Sequence, residues 1–554
     1  MSRIDPTLSE ETATPVNQPD PEPQAPTRPP FVPMARHRAA GYFAASAMLA
    51  LTQGLAQGFI SANLPQIGGE LGATTNQSLW LMAAYMAPRA SLPLLLIKIR
   101  TQYGLRAFAE VGIVLYVIVA AASFLIDDLQ SAVVVQFVSG CVSAPLSTLA
   151  FLYMLEPLPP EKKLNVGLAG ALTFITLGSP LARALSPTLL GDAGWAPVHT
   201  LGLGMALISL CLVFLMPLSP QPRARVIAVL DIVSYALIAI AFGGLTIAFL
   251  MGATLHWTQA PWLGELMATA LAAGAMAVAI ELNRKAPLLD IRWLASPAIL
   301  HLTGALLLFR IILSEQTSGA PGLFRALGLG SAQIAPLFWI IVAASLVGGL
   351  VVALLLKPGK EPAFHIAALI LIALGGFMDG HATLLTRPAQ MYVSQAMIAF
   401  ASALFLPPAM LSGMMRALAK GPTYILSFII VFLSTQSIGG VMGSGLFNSF
   451  ITQRQALHMH DLGDQLTRTD PIVAQRIGAA AQGLAPTLSD PAQRTAQAVS
   501  GIATDAATQA TVMAYNDAFL LLSLIAAVAL ALLLTHLCVA SWLTKRSCPA
   551  AQPV

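Results

Sequence analysis

Residues 223–251 read RARVIAVLDIVSYALIAIAFGGLTIAFLM: two arginines, then a long apolar run with a single acid near its start. A helix needs about 20 apolar residues to cross a bilayer core, and a shorter run would suit a soluble core helix. The same pattern recurs along the chain, which has 554 residues, 56% of them hydrophobic and 10% charged. Fourteen spans are expected, at 40–62, 78–98, 106–126, 130–154, 165–187, 197–217, 227–251, 263–281, 297–318, 331–355, 364–382, 389–414, 424–450 and 517–542. Each is expected to be helical, because lipid offers no partner to a free backbone N–H or C=O. Strands of a membrane barrel would be shorter and would alternate polar with apolar. The fold class is therefore all-α integral membrane, with 14 transmembrane helices.

The connections between spans alternate in Lys/Arg content. With the N-terminus inside, the inner segments carry Arg36, Arg38, Lys98, Arg100, Arg106, Lys162, Lys163, Arg223, Arg225, Arg284, Lys285, Arg292, Lys357, Lys360, Arg416, Lys420, Lys545 and Arg546. The short outer loops carry little beyond Arg325 and Arg387. The positive-inside rule places both termini in the cytoplasm, and only an even number of spans keeps this alternation. Residues 1–38 are rich in Pro, Asp, Glu and Thr and read as a disordered cytoplasmic tail. Residues 546–554 form a second, short one. No cleavable signal peptide is expected before the first span. The long outer segment 451–516 is Ala/Gln-rich in its second part and is expected to be a partly ordered extramembrane hairpin.

Several functions are set aside. Neither a Walker A sequence nor a G-x-G-x-x-G before a helix is present, so no nucleotide cofactor is expected and energy must come from a gradient or a partner. Cys141, Cys211 and Cys538 lie in spans and Cys548 in the tail, so no disulfide is expected. His458 and His460 stand on the outer segment without zinc-site spacing and read as solvated histidines, so no metal is expected. The net charge of +4 belongs to the inner loops and not to a nucleic-acid surface. Nothing marks the chain as an enzyme. The expected partners are membrane lipid and a small-molecule substrate.

The spans hold more than an anchor needs. Gly54, Gly58, Pro88, Pro93, Gly178, Pro180, Pro407, Pro408, Gly439, Gly440 and Gly443 suit close packing and helix bending. Charged residues within spans are costly and commonly face a cavity. The candidates are Arg89, Arg183, Arg310 and Glu315, while Glu110, Asp231, Glu265 and Asp379 also sit near span ends. Arg310 and Glu315 stand about 140° apart around a helix and do not face each other, but could line one wall of a wide cavity. The competing reading places Glu315 near a water-reached interface and treats the arginines as snorkelling or as structural hubs. Gln53 and Gln57 are four apart and share a face, as do Tyr85 and Arg89. Gln136, Gln395 and Gln436 add in-span amides, which serve as helix glue as readily as substrate contacts. Together the four charged candidates, Gln53, Gln57, Tyr85 and these three amides are the candidate substrate and proton pathway.

With these residues in view, the chain resembles the major facilitator superfamily, and within it the 14-span drug:proton antiporters of EmrB type. The resemblance covers about residues 40–545. It is carried by Glu281 followed by Pro287-Leu288-Leu289-Asp290, by Asp231 opening the seventh span, and by Asn63-Leu64-Pro65-Gln66-Ile67 with Leu71-Gly72 leaving the first. The long outer segment before the last span, from Arg454 and His458 to Tyr515-Asn516-Asp517, matches too. The resemblance implies a major facilitator fold: a six-helix bundle at 39–218, two extra helices at 219–282 and a second bundle at 283–545. It further implies alternating access in a bacterial inner membrane, with a periplasmic adaptor (membrane fusion protein) and an outer-membrane channel as partners.

The sequence departs from that family where proton coupling is usually placed. The acid of the first span falls near Ala56. The arginine of the fourth falls at Gln136, and that of the thirteenth at Gln436. The fifth-span antiporter motif reads Gly178-Ser179-Pro180-Leu181-Ala182-Arg183. The basic loop after the second span keeps Lys98, Arg100, Gly104 and Arg106 and loses its leading glycine. With Gly178 and Pro180, these are the candidate gating residues. Three functions stay open: an exporter of drug-like or amphipathic compounds, probed by Glu315 as proton carrier; a transporter of an anionic metabolite or lipid, with arginines as counter-charges; and a non-transporting receptor or scaffold.

Overall fold

The computed structural model describes residues 33–190, 194–220, 223–284, 287–466 and 470–547. Most of the expected N-terminal tail, and Lys285, Arg468 and Cys548, lie outside these residues. Among the described residues fourteen helices are long and apolar enough to cross a membrane. They are α1 Arg36–Glu70, α2 Thr75–Tyr103, α3 Leu105–Leu125, α4 Leu129–Leu155, α5 Pro160–Leu189, α6 Ala196–Leu215 and α7 Val229–Gly252. The rest are α8 Pro261–Leu282, α9 Pro297–Ala326, α10 Ser331–Leu355, α11 Glu361–Asp379 and α12 Pro388–Lys420, then α13 Pro422–Gln465 and α14 Pro491–Ser547.

The ends of these helices follow their local chemistry. Thr74 and Gln77 form a capping box at the start of α2, each side chain meeting the other's backbone N–H. Asp128 caps α4 by accepting from Ser131 N at 2.8 Å. Gly104, between α2 and α3, has φ of +90°. That left-handed backbone favours glycine, and a Cβ there would lie 2.8 Å from Arg223 Nε. In α1 the residues before Pro65 give way: Asn63 leaves helical geometry at φ −121° and ψ 19°, where a proline interrupts the hydrogen-bond ladder.

Helices α1–α6 form one bundle and α9–α14 the other. Within the first, α1 packs on α4, α5 and α6, and α2 on α4. Within the second, α12 packs on α10 and α11, while α14 packs on α11 and α13. The bundles meet along two seams, α5 against α10 and α2 against α13. The extra pair lies beside the second seam: α7 touches both α2 and α13, and α8 packs on α7. Toward the side of the termini, one buried cluster draws from both bundles, Phe151, Met154, Leu168 and Leu172 with Phe405, Leu406, Ala409 and Met410. Lipid-facing helices leave large apolar side chains uncovered, among them Val111, Leu115 and Ile118 on α3 and Leu207, Phe214 and Leu215 on α6.

The outer segment is more ordered than its composition suggested. α13 continues to Gln465, a helix follows at Pro471–Gly483, and α14 begins at Pro491. From Pro491 to Asn516 that last helix is about 40 Å long at the usual rise. The hairpin is tied at its base by Asp517, which takes Arg454 Nη2 at 2.6 Å and His458 Nε2 at 2.7 Å. Gln455 Nε2 adds a bond to Thr511 Oγ1 at 2.8 Å, and higher up Arg476 lies 3.8 Å from Asp505.

Candidate functional site

Among the described residues, several in-span candidates and family markers fall into four polar clusters. The first joins α1 and α2. Arg89 donates to the side-chain carbonyls of both Gln53 and Gln57, and its guanidinium carbon sits 5.7 Å from the Tyr85 ring centre. Tyr85 Oη donates to Gln53 O at 3.4 Å. The two helix-spaced pairs read from the sequence thus close into one four-residue cluster. Its acceptors are neutral amides, so no carboxylate in the cluster offsets the guanidinium.

The second cluster belongs to Arg183 on α5. Its Nη2 donates to Thr317 O on α9 at 3.1 Å, and its guanidinium carbon lies 5.4 Å from the Phe338 ring centre on α10. One side chain therefore ties the two bundles across their first seam. Below it, α1 and α5 approach closely: a Cβ on Gly54 would lie 2.8 Å from Gly178 Cα. Gly178 serves this contact and Pro180 is half-buried one turn-half onward.

The third cluster is inside the second bundle. Gln395 Nε2 on α12 donates to Asp379 Oδ2 at 2.7 Å and reaches Glu315 Oε1 at 3.5 Å. Ser394 Oγ donates to the other oxygen of Asp379, and Gln316 Nε2 to Gln395 O at 3.1 Å. Glu315, Gln395 and Ser394 are each 0% exposed, and among the described residues no N–H or hydroxyl donates to Glu315 Oε2. Glu315 is therefore not at a water-reached interface. It opens a π-turn, Glu315–Gly319, which shifts the phase of α9. Arg310 on the same helix faces α13 instead, against Gly439, Gly440 and Gly443. The expected shared wall is thus two separate sites. Asp379 closes α11, and no sequence spacing relates it to Glu315.

The fourth cluster, on the side of the termini, is an ion network that the sequence left as separate markers. Asp231 on α7 accepts from Lys98 Nζ at 2.6 Å and from Arg284 Nη2 at 2.5 Å. Arg284 Nη1 also donates to Glu281 at 2.9 Å. Glu281 Oε2 further accepts from Leu289 N at 3.2 Å, which fixes the turn into Asp290. Burial pulls the Arg284 guanidinium toward losing its proton, but hydrogen bonds to Asp231 and Glu281 outweigh this and raise its pKa. Of the candidate gating residues, Lys98 joins the network. Arg106 pairs instead with Glu110 on its own helix at 2.7 Å, and Arg100 and Gln136 enter none of the four clusters. Among the described residues no group of three His, Cys, Asp or Glu is placed to hold a metal ion.

No family model matches the chain. It is 26% identical over 231 residues to the fatty acid resistance protein FarB of Neisseria gonorrhoeae, covering 41% of this chain and 45% of that one. It is 25% identical over 238 residues to the multidrug export protein EmrB of Escherichia coli K12, covering 41% and 44%. The chain thus matches less than half the length of these curated relatives. In structure it aligns with the major facilitator superfamily proton:xylose symporter XylE at a TM-score of 0.51 and 14% identity, covering 88% of this chain and 95% of that one. That likeness shows the fold, and with the relatives it bears out the resemblance carried by the sequence.

Proposed function

We propose that this chain, a protein of the major facilitator fold with EmrB-like sequence, is a secondary active exporter of amphipathic or drug-like compounds. It works by alternating access in a bacterial inner membrane, with both termini in the cytoplasm, and is driven by protons. The observation that carries the reading is the buried Glu315–Gln395–Asp379 cluster. Two buried carboxyl groups bridged by one amide are a natural place to hold and pass on a transferable proton, as intramembrane acids do in proton relays. The usual first-span acid is absent here, and this pair stands where a carrier is otherwise lacking.

Arg183 supports the second half of the cycle. Its bond to Thr317 O lies within the π-turn that Glu315 opens, so a change at Glu315 reaches the seam between bundles through a single hydrogen bond. The helical hairpin rooted at Asp517 offers the surface for a periplasmic adaptor, which would in turn join an outer-membrane channel.

The test is flux in proteoliposomes holding the full chain, with an amphipathic fluorescent drug and an imposed pH gradient. Outward-directed transport that collapses in Glu315→Gln supports the reading. Absence of gradient-driven flux, with or without an adaptor protein, sinks it in favour of a receptor or scaffold.

A further inference from the structure

Arg89, Arg183 and Arg310 stand deep within spans, and the first two have hydrogen-bond acceptors. Arg89 donates to Gln53 and Gln57. Arg183 donates to Thr317 O and lies over Phe338. Arg310 differs. Among the described residues its guanidinium forms no hydrogen bond or ion pair, and its Nε is buried without an acceptor. Glu315, the acid on its own helix, is engaged with Gln395.

The facing surface of α13 is shaped to this side chain. Gly439 and Gly440 lie against it, and a methyl on Gly440 would collide with Arg310 Nη2. Gln436 stands one turn earlier on that face. Its Nε2 is a second buried donor with no acceptor. A guanidinium stays charged at any physiological pH, and an uncompensated charge at mid-span is costly. Two adjacent helices thus present unpaired donors, and both lack an anionic oxygen. A single guanidinium suits one negative charge. Its planar fork suits a group with two oxygens.

We propose that Arg310 and Gln436 bind the carboxylate or sulfonate head of a singly charged amphipathic organic anion. The apolar body lies against neighbours such as Leu307, which also borders Gly439. The proposal deepens the exporter reading and rests on it: it names the substrate class that the exporter would move.

The test is equilibrium binding to the full chain in lipid nanodiscs, without a pH gradient. The probes are 11-(dansylamino)undecanoic acid and its methyl ester. The acid is expected to bind about tenfold more tightly than the ester, as befits hydrogen bonds to a charged donor. Arg310→Gln should collapse that ratio to about one, and Arg310→Lys should keep part of it. Should Arg310→Gln fail to fold, Gln436→Leu and Gly440→Ala decide, since each removes or displaces one donor and must lower the ratio. A wild-type ratio near one, or a ratio untouched by these substitutions, overturns the site. Failure of the exporter reading looks different: the acid preference would persist while no flux follows a pH gradient.

Discussion

Arg310 and Glu315 share helix α9 and serve opposite neighbours: Arg310 meets the glycines of α13, and Glu315 meets Gln395 of α12. Five residues of helix set the two side chains about 140° apart, and the π-turn that begins at Glu315 shifts the phase only beyond it. One helix thereby carries an unpaired cation toward one partner and a buried carboxyl toward another. Substrate and proton can then occupy separate places in the same bundle.

The carboxyl cluster gives the first prediction. Glu315→Gln and Asp379→Asn should each abolish gradient-driven transport while leaving gradient-free exchange of substrate across the membrane. The double substitution should be no worse than either alone, because the two acids act through one proton. Counterflow and pH-driven flux measured side by side in proteoliposomes distinguish these outcomes.

Membrane potential gives the second. An anion leaving a negative interior and a proton entering it both move with the potential, which contributes about 2.3 kcal/mol per charge for each 100 mV. A potassium–valinomycin potential, negative inside the compartment from which substrate leaves, should speed efflux of the carboxylate probe without any pH gradient. It should do so far less for a neutral ester.

The ion network gives the third. Asp231 is 0% exposed and meets both Lys98 and Arg284. Asp231→Ala leaves those cations with only Glu281 between them and should destabilise the protein by about 3–5 kcal/mol. Thermal unfolding in detergent, followed through tryptophan fluorescence, reads the loss. A variant as stable as the wild type would show that the network is dispensable for folding.

Helix packing gives the fourth. Gly54→Ala places a methyl 2.8 Å from Gly178 Cα, where neither backbone can yield cheaply. Overpacking of this kind costs about 1–3 kcal/mol. The fall in unfolding temperature should be accompanied by loss of transport, since α1 and α5 flank the seam on which Arg183 sits.

The hairpin gives the fifth. Asp517→Asn removes the charge shared by Arg454 and His458. Backbone amides of residues 452–466 and 470–515 should exchange hydrogen faster, with those of α1–α6 unaffected. Equal protection in both variants would assign the hairpin's order to its Gln455 and helix–helix contacts.

Several of these sites could be read in part from the chain. Gln53 with Gln57 and Tyr85 with Arg89 were paired by helical spacing, and the folded chain adds only that the two pairs meet. The apolar runs and the basic loops were likewise local signals. By contrast, Asp379, Gln395 and Glu315 come from three helices, and Asp231, Lys98 and Arg284 from the ends or flanks of three more. No periodicity within one segment links them.

By itself, the sequence determined that this is a fourteen-span helical membrane protein with one long extramembrane hairpin. Lipid tolerates no unpaired backbone, so apolar runs of sufficient length must be helices, and composition alone reveals them. The tertiary structure decided which polar residue answers which. That choice depends on which helix packs against each side chain, α12 against Glu315 and α13 against Arg310, and on which helices glycine lets come close, as at Gly439 and Gly440. Both are properties of packed neighbours, and they are why Glu315 found an amide and Arg310 found none.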